Sequence, residues 1–174
     1  KDLPLFQALL SNGSQWGCAI SYKIQKEPKG IAEAFLIGKD FIGTDNVALI
    51  LGDNFFYGQN LTNKLLNCTK LNSGAKVILH KVNKPEQYGV AKIEKKRIKK
   101  IVEKPKKFIS DLAITGLYYF DNKVIKYSKE LKPSKRNELE ITDLLNKYKK
   151  KNKLKFDYIG RGGAWLDSGS IEDY

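Results

Sequence analysis

The chain has 174 residues, with 41% hydrophobic residues, 29% charged residues and a formal net charge of +13 at pH 7. This length fits one domain of about 100 to 200 residues, and the apolar content excludes a disordered chain. Two cysteines without a motif spacing, and no apolar run approaching about 18 residues, exclude a disulfide scaffold and a membrane-spanning helix.

The net charge alone would suggest nucleic-acid binding, but its make-up does not. Nearly all the excess cations are lysines, and the arginines are Arg97, Arg136 and Arg161. Recognition of bases and phosphates usually uses the fixed donor fork of arginine. We therefore interpret the lysines as a solvated surface and predict no nucleic-acid partner. A lysine-driven nucleic-acid binder, with affinity that falls as salt rises, is kept as an alternative.

The start of the chain does not read as a natural beginning. The sequence contains no methionine and enters an apolar helical pattern at Leu3. Nothing in it indicates export or membrane insertion. We therefore expect a fragment of a cytoplasmic protein.

Hydrophobic periodicity predicts the first elements in chain order. Residues 3–10 have the spacing of a helix, and residues 20–25 alternate as a half-buried strand does. A helix is expected from Gly30 through residue 37. The apolar run 47–51 then predicts a strand buried on both faces.

The rest of the chain continues this alternation. The patterns predict helices near 61–71, 122–131 and 141–151, and strands at 75–82, 89–93, 98–102, 114–120 and 155–159. The two lysine-rich strands 89–93 and 98–102 are typical of a hairpin. Alternating strands and helices favour an α/β sheet with helices on both faces, where ligands bind beyond the carboxyl ends of strands.

An acidic residue stands at such a strand end. In Leu51-Gly52-Asp53-Asn54 the carboxylate of Asp53 follows the predicted central strand. Oxygen ligands suit Mg²⁺, which takes one or two carboxylates and completes its shell with phosphate oxygens and water. A Gly-Asp-Asn turn with only a local role is the alternative interpretation.

The loop Gln25-Lys26-Glu27-Pro28-Lys29-Gly30 is a second candidate. Gly30 permits close approach of another backbone or a ligand, and the following helix offers free amide donors. The loop could read a base or a phosphate. An ordinary strand-to-helix connection is the alternative, since Gly and Pro punctuate loops routinely.

Further motifs accompany these two in a fixed order. They are Tyr88-Gly89-Val90, Glu103-Lys104-Pro105, Thr115-Gly116-Leu117-Tyr118, Arg136 ahead of Glu138-Leu139-Glu140-Ile141-Thr142-Asp143, and Trp165-Leu166-Asp167-Ser168-Gly169. In this series the chain resembles the bacterial glucose-1-phosphate thymidylyltransferases from Leu3 to Tyr174.

The resemblance implies a fold and a reaction. It implies a Rossmann-like nucleotidyltransferase core in a single domain over residues 1–174, with a mixed, mostly parallel sheet that is incomplete at the amino end. It implies transfer of a nucleotidyl group from dTTP to glucose 1-phosphate, giving dTDP-glucose and pyrophosphate with the help of Mg²⁺. A homotetramer is implied for the complete protein.

The resemblance also assigns site residues, position by position. Gln25 and Gly30 match base-recognition positions, with Pro28 shaping their loop. Asp53 and Asp167 match the two magnesium ligands. The sugar and phosphate positions are matched by Tyr88, Gly89, Glu103, Lys104, Ile114, Tyr118 and Arg136.

The chemistry of the reaction suits these residue types. A metal between Asp53 and Asp167 can polarise the triphosphate, and Lys104 and Arg136 can offset the charge of the sugar phosphate, so these four are the predicted catalytic residues. Glu103 can accept hydrogen bonds from sugar hydroxyls. No covalent nucleophile is needed, because positioning and electrostatics dominate such transfers.

Two other residues are predicted to be structural. His80 lies inside a strand pattern, and Trp165 has the large apolar area of a core residue.

One family feature has no counterpart here. The resemblance leads us to expect an early strand and a glycine-rich loop with an arginine and a lysine that hold the triphosphate, and the sequence contains neither. We therefore expect negligible turnover from these residues alone. A UTP-using uridylyltransferase and a non-catalytic sugar-nucleotide-binding domain stay open as alternatives.

Overall fold

The computed structural model describes residues 2–160 and 162–169. In these ranges the helices are α1 (Leu3–Leu10), α2 (Ala34–Ile37), α3 (Lys39–Ile42), α4 (Leu61–Thr69), α5 (Lys123–Lys129) and α6 (Ile141–Lys150). The strands are β1 (Val47–Ile50), β2 (Asn54–Tyr57), β3 (Ala75–Lys81), β4 (Gly89–Glu94), β5 (Arg97–Glu103), β6 (Leu112–Phe120), β7 (Leu154–Tyr158) and β8 (Ala164–Asp167). The predicted α/β architecture is confirmed.

One large sheet organises the fold. Its order is β5-β4-β6-β3-β7, with β1 also paired to β6, while β2 and β8 form a separate two-stranded ribbon. The prediction that most strands are parallel is wrong: among the described pairings only β3 with β7 is parallel. Parallel pairing of consecutive strands requires a crossover connection, usually a helix. Strands β4, β5 and β6 follow one another without such a helix, so they pair antiparallel.

Helices cover both faces of this sheet, as predicted. Side chains of β3 alternate, so Val77 and Leu79 join the larger core cluster and Ile78 joins the smaller one. The larger cluster receives buried residues of α2, α3, α5 and α6. The smaller cluster is closed by Cys68 of α4 and Trp165 of β8.

Helix α6 shows how the sequence pattern builds this packing. Ile141, Leu144, Leu145 and Tyr148 recur at helical spacing and are all buried. Tyr148 donates a hydrogen bond to Oδ1 of the buried Asp121 at 2.8 Å. The helix therefore has one fixed face, and its first turn is held against the candidate site.

The amino-terminal region differs from the prediction in one element. Helix α1 forms as expected, but residues 20–25 form no strand. The hydroxyl of Tyr22 instead donates to the backbone carbonyl of Ser11 at the end of α1, at 2.5 Å. An alternating pattern becomes a strand only when a ladder partner is present, and the described residues supply none here.

Strand β1 also differs in its burial. Val47 and Leu49 pack against the core, but Ala48 and Ile50 on the opposite face are exposed, with Ile50 58% exposed. The prediction of burial on both faces is therefore wrong for the described residues.

No helix in the described ranges has the length and apolar character needed to cross a membrane.

Candidate functional site

The candidate site lies at a fork in the sheet beside β6. Strand β1 leaves β6 after Ile50 pairs with Leu117, whereas β4 joins the sheet where Val90 pairs with Ala113. Between these pairings a cleft of about 160 Å³ opens. Its walls include Leu51, Asn54, Tyr88, Gly89, Glu103, Lys104, Ile114, Gly116, Tyr118, Thr142, Trp165 and Asp167.

The β2–β8 ribbon brings two predicted ligands together across 114 positions of sequence. Asn54 of β2 pairs with Asp167 of β8, so Asp53, one residue earlier, faces the turn after β8. The backbone N–H of Ser168 donates to the carbonyl of Asp53 at 2.8 Å, and the Ser168 hydroxyl donates to the same oxygen at 3.0 Å. These bonds lock the ends of the two strands side by side.

Gly169 shows how closely the carboxylates of Asp53 and Asp167 converge. A Cβ placed on Gly169 would lie 3.0 Å from Oδ1 of Asp167 and 3.2 Å from Oδ2 of Asp53. Among the described residues neither carboxylate forms an ion pair. Two carboxylates that converge without an ion pair among the described residues suit a divalent cation.

Among the described residues, the carboxylates that could hold a metal at this point are Asp53 and Asp167. In residues 2–160 and 162–169 no group of three or more His, Cys, Asp or Glu side chains is arranged to hold a metal. A cation held here would complete its shell with ligand oxygens and water, which is the usual arrangement for Mg²⁺. The residues therefore fit a metal that is shared with a phosphate ligand.

The opposite wall of the cleft carries Glu103, at the end of β5. Gly89 of β4 pairs with Glu103, and a Cβ on Gly89 would lie 2.8 Å from Cγ2 of Thr142 and 3.1 Å from Oε2 of Glu103. A larger residue at position 89 would therefore require the Thr142 or Glu103 side chain to shift. Burial, and then the charge of Glu140, raise the pKa of Glu103.

Tyr88 joins the two walls. Its ring lies edge-on to that of Trp165, with 5.2 Å between centroids, and its carbonyl accepts a hydrogen bond from the backbone N–H of Lys104 at 3.0 Å.

Both predicted structural residues behave as expected: Trp165 is buried, and His80 lies in β3. Burial lowers the pKa of His80.

Arg136 is held by carboxylates on three sides. Its Nε and one terminal nitrogen donate to the two oxygens of Glu140, at 3.1 and 2.8 Å. Glu138 lies 3.3 Å and Glu103 lies 3.9 Å from the same terminal nitrogen. The Glu140 side chain is only 9% exposed. The guanidinium is thus fixed in direction, and its charge is largely compensated within the protein.

Lys104 supplies the less compensated cation. The residue is exposed and makes no ion pair within 4 Å among the described residues. Its backbone is in the left-handed region, with φ of 39°, just before the buried Pro105. This conformation is costly for a non-glycine residue and persists where the surroundings enforce it.

The predicted base-recognition loop, residues 25–30, packs against the backbone of Leu139. A Cβ on Gly30, whose φ is 95°, would lie 2.6 Å from the backbone nitrogen and oxygen of Leu139. The close approach that Gly30 permits is therefore to this backbone. The side-chain nitrogen of Gln25 donates to the Gly30 carbonyl at 3.2 Å and to Glu33 at 2.6 Å, and Pro28 is exposed.

Ile114 and Tyr118 form the floor of the cleft on β6. Both are at most 5% exposed. Burial, followed by the charges of Glu103, Asp167 and Asp53, raises the pKa of Tyr118 above its usual value. The phenol is thus neutral and lies within electrostatic reach of both walls.

Sequence reasoning missed three residues that shape the site, namely Asn54, Glu140 and Thr142. Asn54 was visible only as part of a turn motif, and Glu140 only as one acid in a charged run. Thr142 lies beside Glu103, and its side chain opposes the rise in the pKa of that carboxyl. Glu140 and Thr142 lie at the start of the predicted helix 141–151, and Asn54 lies just after the predicted strand 47–51. These positions were the available signal.

Comparison with known proteins defines the class. The sequence model of the family described as Nucleotidyl transferase matches residues 1–174. The chain therefore belongs to the nucleotidyl transferase family.

Individual relatives are more specific. A glucose-1-phosphate thymidylyltransferase of Neisseria meningitidis serogroup A is 47% identical over 173 residues, which cover 99% of this chain and 60% of that protein. One from Xanthomonas campestris pv. campestris is 47% identical over 167 residues, covering 95% and 57%. The chain thus spans about 60% of the length of these relatives.

Solved structures agree in fold. A Bacillus anthracis protein assigned as a glucose-1-phosphate thymidylyltransferase, in complex with sucrose, matches with a TM-score of 0.88 and 40% identity, covering 98% of this chain and 68% of that one. A UDP-glucose pyrophosphorylase in complex with UDP-glucose matches with a TM-score of 0.79 and 30% identity, covering 98% and 69%.

Proposed function

We propose that this chain carries the sugar-phosphate and cation-binding part of a glucose-1-phosphate thymidylyltransferase. The reaction transfers a thymidylyl group from dTTP to glucose 1-phosphate and gives dTDP-glucose and pyrophosphate. The observation that carries the proposal is the cleft itself, which Asp167 lines together with Gly89, Glu103 and Lys104, while Asp53 adjoins it beside Asp167 and neither aspartate has an ion pair among the described residues. The names of the relatives support the same reaction.

The reaction requires placement more than chemistry from side chains. A phosphate oxygen of glucose 1-phosphate attacks the α-phosphorus, and the bond from that phosphorus to the bridging oxygen breaks. Pyrophosphate leaves with the electron pair. The attacking oxygen is already ionised at neutral pH, so no general base is needed, and orientation with charge compensation lowers the barrier.

The residues of the cleft divide this work. Glu103 accepts hydrogen bonds from sugar hydroxyls, and Gly89 leaves room for the ring beside it. Lys104 compensates the charge of the sugar phosphate, while Arg136 offers donors in a direction set by Glu140. Ile114 and Tyr118 exclude water from the floor.

Asp53 and Asp167 would hold the cation, which we propose to be Mg²⁺. When bound, it supplies positive charge and Lewis acidity to the triphosphate. Gln25, Pro28 and Gly30 are proposed to contact the base from the loop that packs on Leu139. As in the family resemblance, we propose a cytoplasmic protein that is a homotetramer when complete.

A uridylyltransferase is the second candidate, favoured by the match to UDP-glucose pyrophosphorylase. Thymine and uracil differ by one methyl group, which a pocket discriminates by about 10 to 200-fold. Preference between dTTP and UTP therefore separates the two.

The test is Mg²⁺-dependent release of pyrophosphate from glucose 1-phosphate with dTTP, UTP, CTP, ATP or GTP. It is run on this chain and on the chain with a relative's glycine-rich loop joined ahead of Lys1. We expect release from the protein with the joined loop, fastest with dTTP, and negligible release from this chain alone. Fastest release with UTP would select the uridylyltransferase. Binding of dTDP-glucose by calorimetry, with no release in either protein, would indicate a non-catalytic binding domain.

A further inference from the structure

Asn54 lies where three parts of the cleft meet. Its Oδ1 accepts hydrogen bonds from the backbone N–H of Gly116 at 2.9 Å and from Nε1 of Trp165 at 2.6 Å. Its Nδ2 donates to Oδ1 of Asp53 at 2.7 Å. One amide therefore contacts β6, β8 and the acidic residue that precedes β2.

These partners determine how the amide is oriented. Gly116 and Trp165 both offer only donors to Asn54, so the oxygen must face them. A flipped amide would direct its NH₂ group at two N–H donors and its oxygen at a carboxylate. The nitrogen of Asn54 is therefore held toward Asp53.

The consequence is a choice between the two oxygens of Asp53. Oδ1 is occupied by Asn54, whereas Oδ2 is the oxygen that lies 3.2 Å from the Cβ position of Gly169, across from Oδ1 of Asp167. We infer that Asn54 is a positioning residue for the cation, because it binds one oxygen of Asp53 and thereby presents the other toward Asp167. This inference rests on the proposed function of the carboxylate pair.

Gly116 provides an independent way to move the amide. A Cβ on Gly116 would lie 2.5 to 2.8 Å from the side-chain oxygen, carbon and nitrogen of Asn54. The clash involves the end of a side chain, so Gly116→Ala displaces the amide while the strands stay paired. Gly52→Ala is the matched control, because a Cβ on Gly52, next to Asp53, meets nothing within 4 Å.

The experiment measures the affinity of the chain for Mn²⁺ alone, from the paramagnetic resonance signal of the free ion. Groups that orient a metal ligand typically contribute 10 to 100-fold to metal affinity. We expect affinity to fall about 10-fold or more in Asn54→Thr and in Gly116→Ala, and to be unchanged in Gly52→Ala. Threonine suits a strand and keeps a hydroxyl, but it has no amide to reach Asp53.

A purely structural role for Asn54 gives a different result. Trp165→Phe removes one hydrogen bond to the same oxygen and keeps a ring in the core, so it reports on bracing alone. If Asn54 only braces the fold, Asn54→Thr and Trp165→Phe both lower the urea midpoint and neither changes Mn²⁺ affinity.

Two outcomes overturn the inference and differ in what they leave standing. Unaltered Mn²⁺ affinity in folded Asn54→Thr and Gly116→Ala removes the positioning role and leaves the proposed function intact. No binding of Mn²⁺ by the unaltered chain at millimolar concentrations removes the cation site itself. If Asn54→Thr does not fold, Gly116→Ala against Gly52→Ala decides the matter.

Discussion

The two walls of the cleft differ in how the charges beside them are balanced. Next to Glu103 on one wall, the guanidinium of Arg136 lies within 4 Å of Glu103, Glu138 and Glu140, and its charge is balanced within the protein. On the other wall Asp53 and Asp167 converge with no cation beside them among the described residues. The charges around Arg136 are therefore balanced by its own neighbours, whereas Asp53 and Asp167 repel each other until a cation binds.

This difference separates stability from function. Removing the Glu140 carboxylate beside Arg136 should cost folding free energy, because its charged hydrogen bonds to the guanidinium are lost. Removing a charge from the carboxylate wall should cost little or no stability, since like charges repel, and should abolish cation binding instead. The variants below test this contrast.

Asp167→Asn should have the largest effect. It removes one of the two protein ligands, so we expect Mn²⁺ affinity of the chain, and pyrophosphate release by the chain carrying a relative's glycine-rich loop, to fall about 100-fold or more, equivalent to the several kcal/mol that a catalytic metal supplies. The free energy of unfolding in urea should stay the same or rise. A large loss of stability together with lost binding would show that the carboxylate has a structural role.

Gly30→Ala should have the largest effect on stability. The new methyl meets the Leu139 backbone at 2.6 Å, and φ is 95°, so we expect a loss of about 2 to 4 kcal/mol in urea unfolding. Gly17→Ala is the control, because φ there is also positive, at 69°, but no atom lies within 4 Å of a Cβ. It should lose only about 1 to 2 kcal/mol. Equal losses would mean that packing on Leu139 is unimportant.

Glu140→Gln tests the Arg136 wall directly. Burial raises the pKa of Glu140, but hydrogen bonds from Arg136 and Ser134 outweigh it, so the pKa lies below its ordinary value of 4.5. The carboxylate therefore stabilises the fold at neutral pH, and this contribution is full above its ordinary pKa of 4.5 and is lost as pH falls through the lower folded pKa.

We expect Glu140→Gln to cost about 1 to 3 kcal/mol at pH 7 in urea unfolding, because a charged hydrogen-bonded pair is lost. Glu138→Gln is the matched control. Its side chain also lies near Arg136, but it is 34% exposed, so its loss should be at most about 1 kcal/mol. The opposite ranking would contradict the assignment of Glu140 as the main anchor.

Glu103→Gln should have the smallest effect on stability, with the opposite sign. The pKa of Glu103 is raised in the fold, so its contribution to stability is full below its unfolded pKa, near 4.5, and is lost as pH rises through the higher folded value. The variant should be slightly more stable than the parent at pH 7 and should bind dTDP-glucose more weakly.

The measurements for Glu103→Gln are urea midpoints at pH 4.5 and pH 7 and calorimetry with dTDP-glucose. Glu86→Gln, at an exposed position, serves as the control and should change neither. A variant that is less stable at pH 7 would show that Glu103 is a structural anchor like Glu140.

Much of the fold could be predicted because the signals are local. The hairpin of β4 and β5, the strand β3 and the buried stripe of α6 all follow from the spacing of apolar residues. The prediction of a strand at residues 20–25 was wrong because the alternation of apolar and polar residues is a local signal, whereas a strand also needs a neighbouring strand to pair with. The prediction of mostly parallel pairing was wrong because the direction of pairing depends on which strands become neighbours. Strand β6 lies between β1 and β3 and is antiparallel to both.

For the candidate site, the sequence by itself determined the chemical types and their order. It placed Asp53 and the pair Glu103 and Lys104 just after predicted strands, and the family resemblance added Asp167. These four residues line or adjoin one cleft. Only the tertiary structure decided which of them meet. The β2–β8 register pairs Asn54 with Asp167, and the fork beside β6 brings Gly116 to the Asn54 amide. Such contacts join positions far apart in the chain, and their distances are set by packing, which no local pattern encodes.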